Sequence, residues 1–87
     1  MNQRMKVPVS ERALYARINR ALAAGRLLGD NDLRLKKTKG VKARQDLGDY
    51  YVLNTRRNYV MHNYKDVDLE ELGREVGAVG DWEELNR

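Results

Sequence analysis

The side chains in this sequence that could do chemistry are mostly cations. "KKTKG" (residues 36–40), continued by Lys42 and Arg44, is the densest basic run in the chain. A second focus, Arg56-Arg57, lies inside "YYVLNTRRNYVMHNY" (residues 50–64). Ammonium and guanidinium groups at this density suit phosphate oxygens, and phosphate contacts position a nucleic acid without specifying its sequence. Lys36, Lys37, Lys39, Lys42, Arg44, Arg56 and Arg57 are therefore the candidate nucleic-acid contacts. The same run also suits a solvated, flexible surface or an acidic protein face. Tyr50, Tyr51, Tyr59 and Tyr64 stand close to the arginine pair in sequence. Aromatic rings beside cations stack exposed bases; tyrosines also serve as sheet-core residues with a polar end.

Other chemistries find little support. His62 is the one histidine, so a multi-histidine metal site cannot form within one chain. A lone histidine in a strand-type run specifies no reaction, and a hydrogen-bonded structural role is the expectation for it. Asp46 and Asp49 flank Gly48, which is ordinary turn chemistry. The absence of cysteine excludes disulfides, cysteine catalysis and thiolate metal sites. No glycine-rich phosphate loop or nucleophile motif is present. No catalytic residue, metal or cofactor is assigned, and a binding protein is expected rather than an enzyme.

These residues need a scaffold, and 87 residues predict one small domain. Residues 1–9 read as a flexible arm. Ser10 and Glu11 open a helix, "SERALYARINRALAAG", with Gly25 at its end. Leu14, Ile18 and Leu22 share its buried face; Arg12, Arg17 and Arg20 lie on the opposite side. Gly29-Asp30-Asn31-Asp32 is a turn. Leu33 and Leu35 alternate with Arg34 and Lys36, as in a short edge strand guarded by lysines. Gly40–Gly48 reads as a basic loop. Two further strands follow around an Asn54–Asn58 tip, where Asn58 tolerates a left-handed backbone and Arg56 and Arg57 meet water. Tyr50 shares a face with Val52, and Tyr51 with Leu53; alternation does not decide which pair faces the helix. Asp68 caps a short helix that buries Leu69, Leu72 and Val76 and ends at Gly77. Trp82 and Leu85 form a final patch, packed back or offered to a partner. The fold expected is α+β: an N-terminal helix, a three-stranded antiparallel meander and a short C-terminal helix.

Charge is unevenly placed along this layout. Residues 1–65 hold 15 Lys/Arg against 5 Asp/Glu, and residues 66–87 hold 2 against 8. A basic body with an acidic end points to a polyanionic partner, or to a homodimer in which the acidic end neutralises the basic part. No apolar run approaches the roughly 20 residues a membrane helix requires, so a cytoplasmic location is expected.

"VSERALYARINRALA", "DLGDYYVLNTRRNYVM" and "VDLEELGREVGAV" together resemble small uncharacterised proteins carried by plasmids, phages and integrative elements of proteobacteria. The resemblance implies a mobile-element setting, where small proteins adjust nucleic-acid transactions or inhibit host defence. The leading expectation is a small basic accessory protein that binds nucleic acid or a nucleic-acid-loaded complex. One alternative is an anti-CRISPR-like inhibitor that docks on a host protein through Trp82, since buried aromatics dominate interface energetics. A second is a small toxin ribonuclease working with Arg, Lys and Tyr.

Overall fold

The structure, a computed structural model, describes residues 6–86. Its elements in chain order are β1 (Val7–Ser10), α1 (Glu11–Ala23), β2 (Leu33–Lys37), α2 (Val41–Leu47), β3 (Tyr50–Asn54), β4 (Tyr59–Lys65), α3 (Leu69–Glu75) and β5 (Glu83–Asn86). Strands β2, β3 and β4 form an antiparallel sheet in that order. Strands β1 and β5 form a separate parallel pair. The α+β class and the three-stranded antiparallel sheet are present. The simple helix–meander–helix order is not, because α2, β1 and β5 are added to it.

The two main helices start and stop where side-chain chemistry directs. Ser10 Oγ accepts the Ala13 N–H at 3.1 Å, satisfying a free donor of the first turn of α1. At the other end the Arg26 N–H reaches the Ala21 carbonyl and the Gly25 N–H reaches that of Leu22. This paired closure requires a left-handed residue, which Gly25 supplies at φ +78°. Helix α3 repeats the scheme. Asp68 accepts from the Glu70 and Glu71 N–H groups, and Gly77, at φ +75°, lets Ala78 and Gly77 close on the Gly73 and Arg74 carbonyls.

Leu14, Ile18 and Leu22 of α1 are fully buried, as their spacing requires. They meet Leu33 and Leu35 of β2, Val52 of β3, Leu72 of α3 and Val76 at the C-terminal end of that helix. Helices α1 and α3 approach closely at Gly73. A Cβ there would stand 2.6 Å from Val79 Cγ2 and 3.0 Å from Leu14 Cδ1. Val9 and Leu85 face each other across the β1–β5 pair, and both are buried.

Three expectations are corrected. Val7–Ser10 is a strand where a flexible arm is expected. The Val7 N–H donates to the Trp82 carbonyl at 2.7 Å and continues the pairing with β5. Residues 1–5 of that arm lie outside the described residues. Residues 41–47 form a helix, not a loop. Lys, Ala, Arg and Gln are good helix formers, and Gly40 (φ +88°) and Gly48 (φ +73°) punctuate the segment at either end. Helix α2 buries none of its side chains, so no apolar stripe announces it. Third, Arg17 is not a free outer-face arginine. Its Nη1 donates to both carboxylate oxygens of Glu83, at 3.0 and 2.9 Å, and to the Ala78 carbonyl at 3.4 Å.

Candidate nucleic-acid interface

The register of the three-stranded sheet decides which side chains share a face. Leu35 opposes Val52, and Lys37 opposes Tyr50, on the side packed against α1. Leu35, Val52 and Tyr50 are accordingly buried. The alternate residues must point the other way. One outward row is Arg34–Leu53–Val60, and the next is Lys36–Tyr51–Lys65. Lys36 and Lys65 are exposed; Arg34, Tyr51, Leu53 and Val60 are half-buried. The two rows thus set three cations around an apolar and aromatic centre and contain no carboxylate. The ambiguity left by alternation is resolved: Tyr50 and Val52 face α1, and Tyr51 and Leu53 face out.

The four tyrosines divide into two structural and two available. The Tyr50 hydroxyl donates to Glu11 Oε2 at 2.6 Å, and its ring lies 6.0 Å from that of Tyr15. Burial, and then the Glu11 carboxylate, push the Tyr50 phenol up to about 12. The Tyr64 hydroxyl donates to Glu75 Oε2 at 2.9 Å, tying β4 to α3. Its pKa is raised too, by burial first and by that carboxylate second. Tyr59 is exposed, and Tyr51 presents its outward side. No hydrogen bond engages the Tyr51 hydroxyl among the described residues.

The expected contact residues do not all come together. Lys36 and Lys37 end β2, Lys39 follows Thr38, and Lys42 stands on the first turn of α2, so all four lie toward one end of β2, with Lys36 outward and Lys37 on the α1 side. All four are exposed. Arg44 also lies on α2, but its Nε is paired with Asp49 Oδ1 at 3.2 Å. Arg56 and Arg57 are exposed at the β3–β4 tip, with Asn58 left-handed at φ +57° as that turn requires. Strand β3 separates them from the lysine group, since Lys37 pairs with Tyr50 while the tip begins after Asn54. Four residue steps along a strand span about 13 Å. The tip also lines a shallow groove with Asp30 and Asp32, so its two charges are offset by two carboxylates. By the same measure Lys65 lines a groove with Asp66, Asp68, Glu71 and Glu75, so the end of β2 with Lys36, together with Arg34, is the part of the sheet surface whose cations are least offset.

Arg34, Leu53, Val60 and Lys65 complete that surface and were not picked out by sequence motif. Their signal is the alternation itself, and it needed the β2–β3–β4 register to be read. Strand β4 explains the difficulty. Leu53 opposes Val60, but Tyr51 opposes Lys65, so three extra residues of β4 are accommodated in that interval. Counting by twos from Val60 would place His62, not Lys65, beside Tyr51. His62 is exposed in this irregular stretch, where a hydrogen-bonded structural histidine is expected.

Trp82 is 61% exposed, next to Val7 at 53%. Its ring lies over Gly80, where a Cβ would fall 2.6 to 2.7 Å from the indole. Trp82 therefore covers its own turn and leaves its outer side open. Asp46 and Asp49 lie with Asp66 around a polar groove, and no group of three or more metal-ligating side chains is placed to hold a metal among the described residues. None of the described helices is long and apolar enough to cross a membrane.

No family model, curated protein or solved structure matches this chain.

Proposed function

We propose that this protein binds nucleic acid on the open face of the β2–β3–β4 sheet, with no catalytic residue assigned. The observation that carries the reading is the pair of outward rows, in which Arg34, Lys36 and Lys65 surround Tyr51, Leu53 and Val60 without a carboxylate among them. Lysine and arginine supply the salt-sensitive attraction to phosphate. Lys39 and Lys42 add positive charge beyond the end of β2, while Lys37 lies on the α1 side of the sheet. The resemblance to proteins of mobile genetic elements gives such binding a setting: a small accessory protein acting on nucleic acid, or on a nucleic-acid-loaded complex.

Fluorescence anisotropy with labelled 20-nucleotide DNA and RNA at several salt concentrations tests this. Binding should weaken steeply as salt rises. The double variant Lys36→Gln/Lys65→Gln should lower the slope of log K against log salt by about 1.4 to 1.8, the worth of two phosphate contacts. Its unfolding midpoint should match the parent, because both side chains are exposed. Superimposable binding curves for parent and variant would overturn the reading.

A protein-docking reading, with an inhibitor of host defence as its form, is favoured by one observation. Trp82 is exposed between the acidic Asp81 and Glu83-Glu84 in sequence, and Val7, whose N–H meets the Trp82 carbonyl, is exposed too. Retention of a host partner in high salt and after nuclease treatment, lost in Trp82→Ala, would select it over the nucleic-acid reading.

A further inference from the structure

Resting on the nucleic-acid reading, we infer that the ligand is single-stranded and that one unpaired base lies on the outward ring of Tyr51. Neighbouring strands stand about 4.8 Å apart, so Lys36 and Lys65 flank Tyr51 at that spacing on either side, about 10 Å from one another. On β2 and β3, Arg34 and Leu53 lie two residues along, about 7 Å away; on β4, Val60 is set off from Lys65 by the irregular stretch. The regular part of the surface is on the scale of one nucleoside with its flanking phosphates.

The chemistry divides in the way such a ligand does. The cations sit at three outer positions, Val60 at the fourth, and Tyr51 and Leu53 on the middle strand between them. Tyr51 is half-buried between its neighbours, and Leu53 and Val60 provide an apolar floor beside it for a sugar or a second base. Arg34 is held in place, because its Nη1 donates to the Asn31 and Leu33 carbonyls; its other guanidinium nitrogens remain to meet a phosphate. The carboxylates nearest in sequence are Asp32, two residues before Arg34, Asp49, paired with Arg44, and Asp66, which follows Lys65. Lys65 also lines a groove with Asp66, Asp68, Glu71 and Glu75, so Lys36 and Arg34 are the cations least offset beside Tyr51. A duplex in its stacked form offers the Tyr51 ring no free base face. Its bases are stacked on one another, and its major groove is read by an inserted helix or two-stranded ribbon. Here the cationic residues lie on the face of a three-stranded sheet backed by α1.

Three probes test the inference: a 12-nucleotide single strand, a blunt duplex of the same sequence, and a 12-unit abasic strand that keeps the phosphates. At one salt concentration the single strand should bind more tightly than the duplex. Tyr51→Ala should weaken single-strand binding about 5- to 150-fold, the range for loss of one stacked base. Tyr51→Phe should stay within about twofold of the parent, since the ring is retained. The abasic strand should bind parent and Tyr51→Ala alike. Tyr51→Leu keeps side-chain bulk on the sheet and serves if Tyr51→Ala does not fold; it too should lose the single-strand preference. Equal binding of single strand and duplex, with no effect of Tyr51→Ala or Tyr51→Leu, would overturn the stacking inference and leave the nucleic-acid reading standing. Failure of all three probes to bind the parent would overturn both.

Discussion

Asn19 shows how much one side chain can settle. Strand β2 is the outer strand of its sheet, and Leu35 turns its N–H and carbonyl away from β3. The Asn19 amide takes both: Oδ1 accepts the Leu35 N–H at 2.7 Å, and Nδ2 donates to the Leu35 carbonyl at 3.2 Å. The Tyr15 hydroxyl donates to the same carbonyl at 2.8 Å. An unpaired strand edge is a template for unwanted association, and here a side chain of α1 pairs it. Asn19→Ala should destabilise the protein by about 1–3 kcal/mol, because it leaves a partly buried N–H unsatisfied. Chemical denaturation checks this; an unchanged midpoint would mean that water replaces the amide at no cost. Glu83 is a second residue whose role the sequence hides. The Gly80 N–H, and after it the Arg17 guanidinium, hold its carboxylate below the ordinary glutamate value of 4.5. A depressed carboxylate stabilises the fold above that ordinary value and loses its contribution as pH falls through its lower folded value. The stability advantage of the parent over Glu83→Gln should therefore be full near neutral pH and shrink in acid below about pH 4.5. An advantage that does not change with pH would show that the carboxylate charge is not what matters.

At the scale of elements, legibility followed apolar pattern and terminal chemistry. Helix α1 could be read because Leu14, Ile18 and Leu22 recur at helical spacing and because Ser10 and Gly25 mark its ends. Asp68 and Gly77 marked α3 in the same way. Helix α2 could not be read so, since a helix that buries nothing leaves no stripe. Strands β1 and β5 have only four residues each, too few to display a period, and their parallel pairing joins segments near opposite ends of the chain. The candidate site was half legible. The lysine run stands in the sequence as a block, whereas Arg34, Tyr51 and Lys65 come together only through pairing of three separate strands. Gly73 was missed because a glycine inside a helix ordinarily weakens it. Here it is what brings α1 and α3 together. Gly73→Ala gains helix propensity of about 1 kcal/mol, but its methyl would collide with Val79 and crowd Leu14. Overpacking of this kind costs about 1–3 kcal/mol. The net outcome expected is a lower melting temperature; a higher one would show that the two helices can part without loss.

Over the whole molecule, the charge imbalance along the chain is partly offset by contacts between its two parts. Much of the acidic end is used internally: Glu75 takes the Tyr64 hydroxyl, Glu83 takes Arg17, and Glu70 takes Arg74 at 2.6 Å. The cations of the outward sheet rows have no carboxylate in those rows. On the account proposed, Arg34, Lys36 and Lys65 around Tyr51 form the binding surface, although Lys65 also lines a groove with Asp66, Asp68, Glu71 and Glu75; the exposed Val7 and Trp82 lie in and beside the separate β1–β5 pair. The two surfaces make the account decidable by one measurement. Backbone amide chemical shifts of the ¹⁵N-labelled protein, followed during titration with a 12-nucleotide single strand, report which surface meets the ligand. The account predicts shifts concentrated at Arg34, Lys36, Tyr51, Leu53, Val60 and Lys65, weaker ones at Lys39 and Lys42, and none at Val7, Trp82 or Glu84. Shifts confined to the β1–β5 pair, or a spectrum that does not change at saturating oligonucleotide, would contradict it.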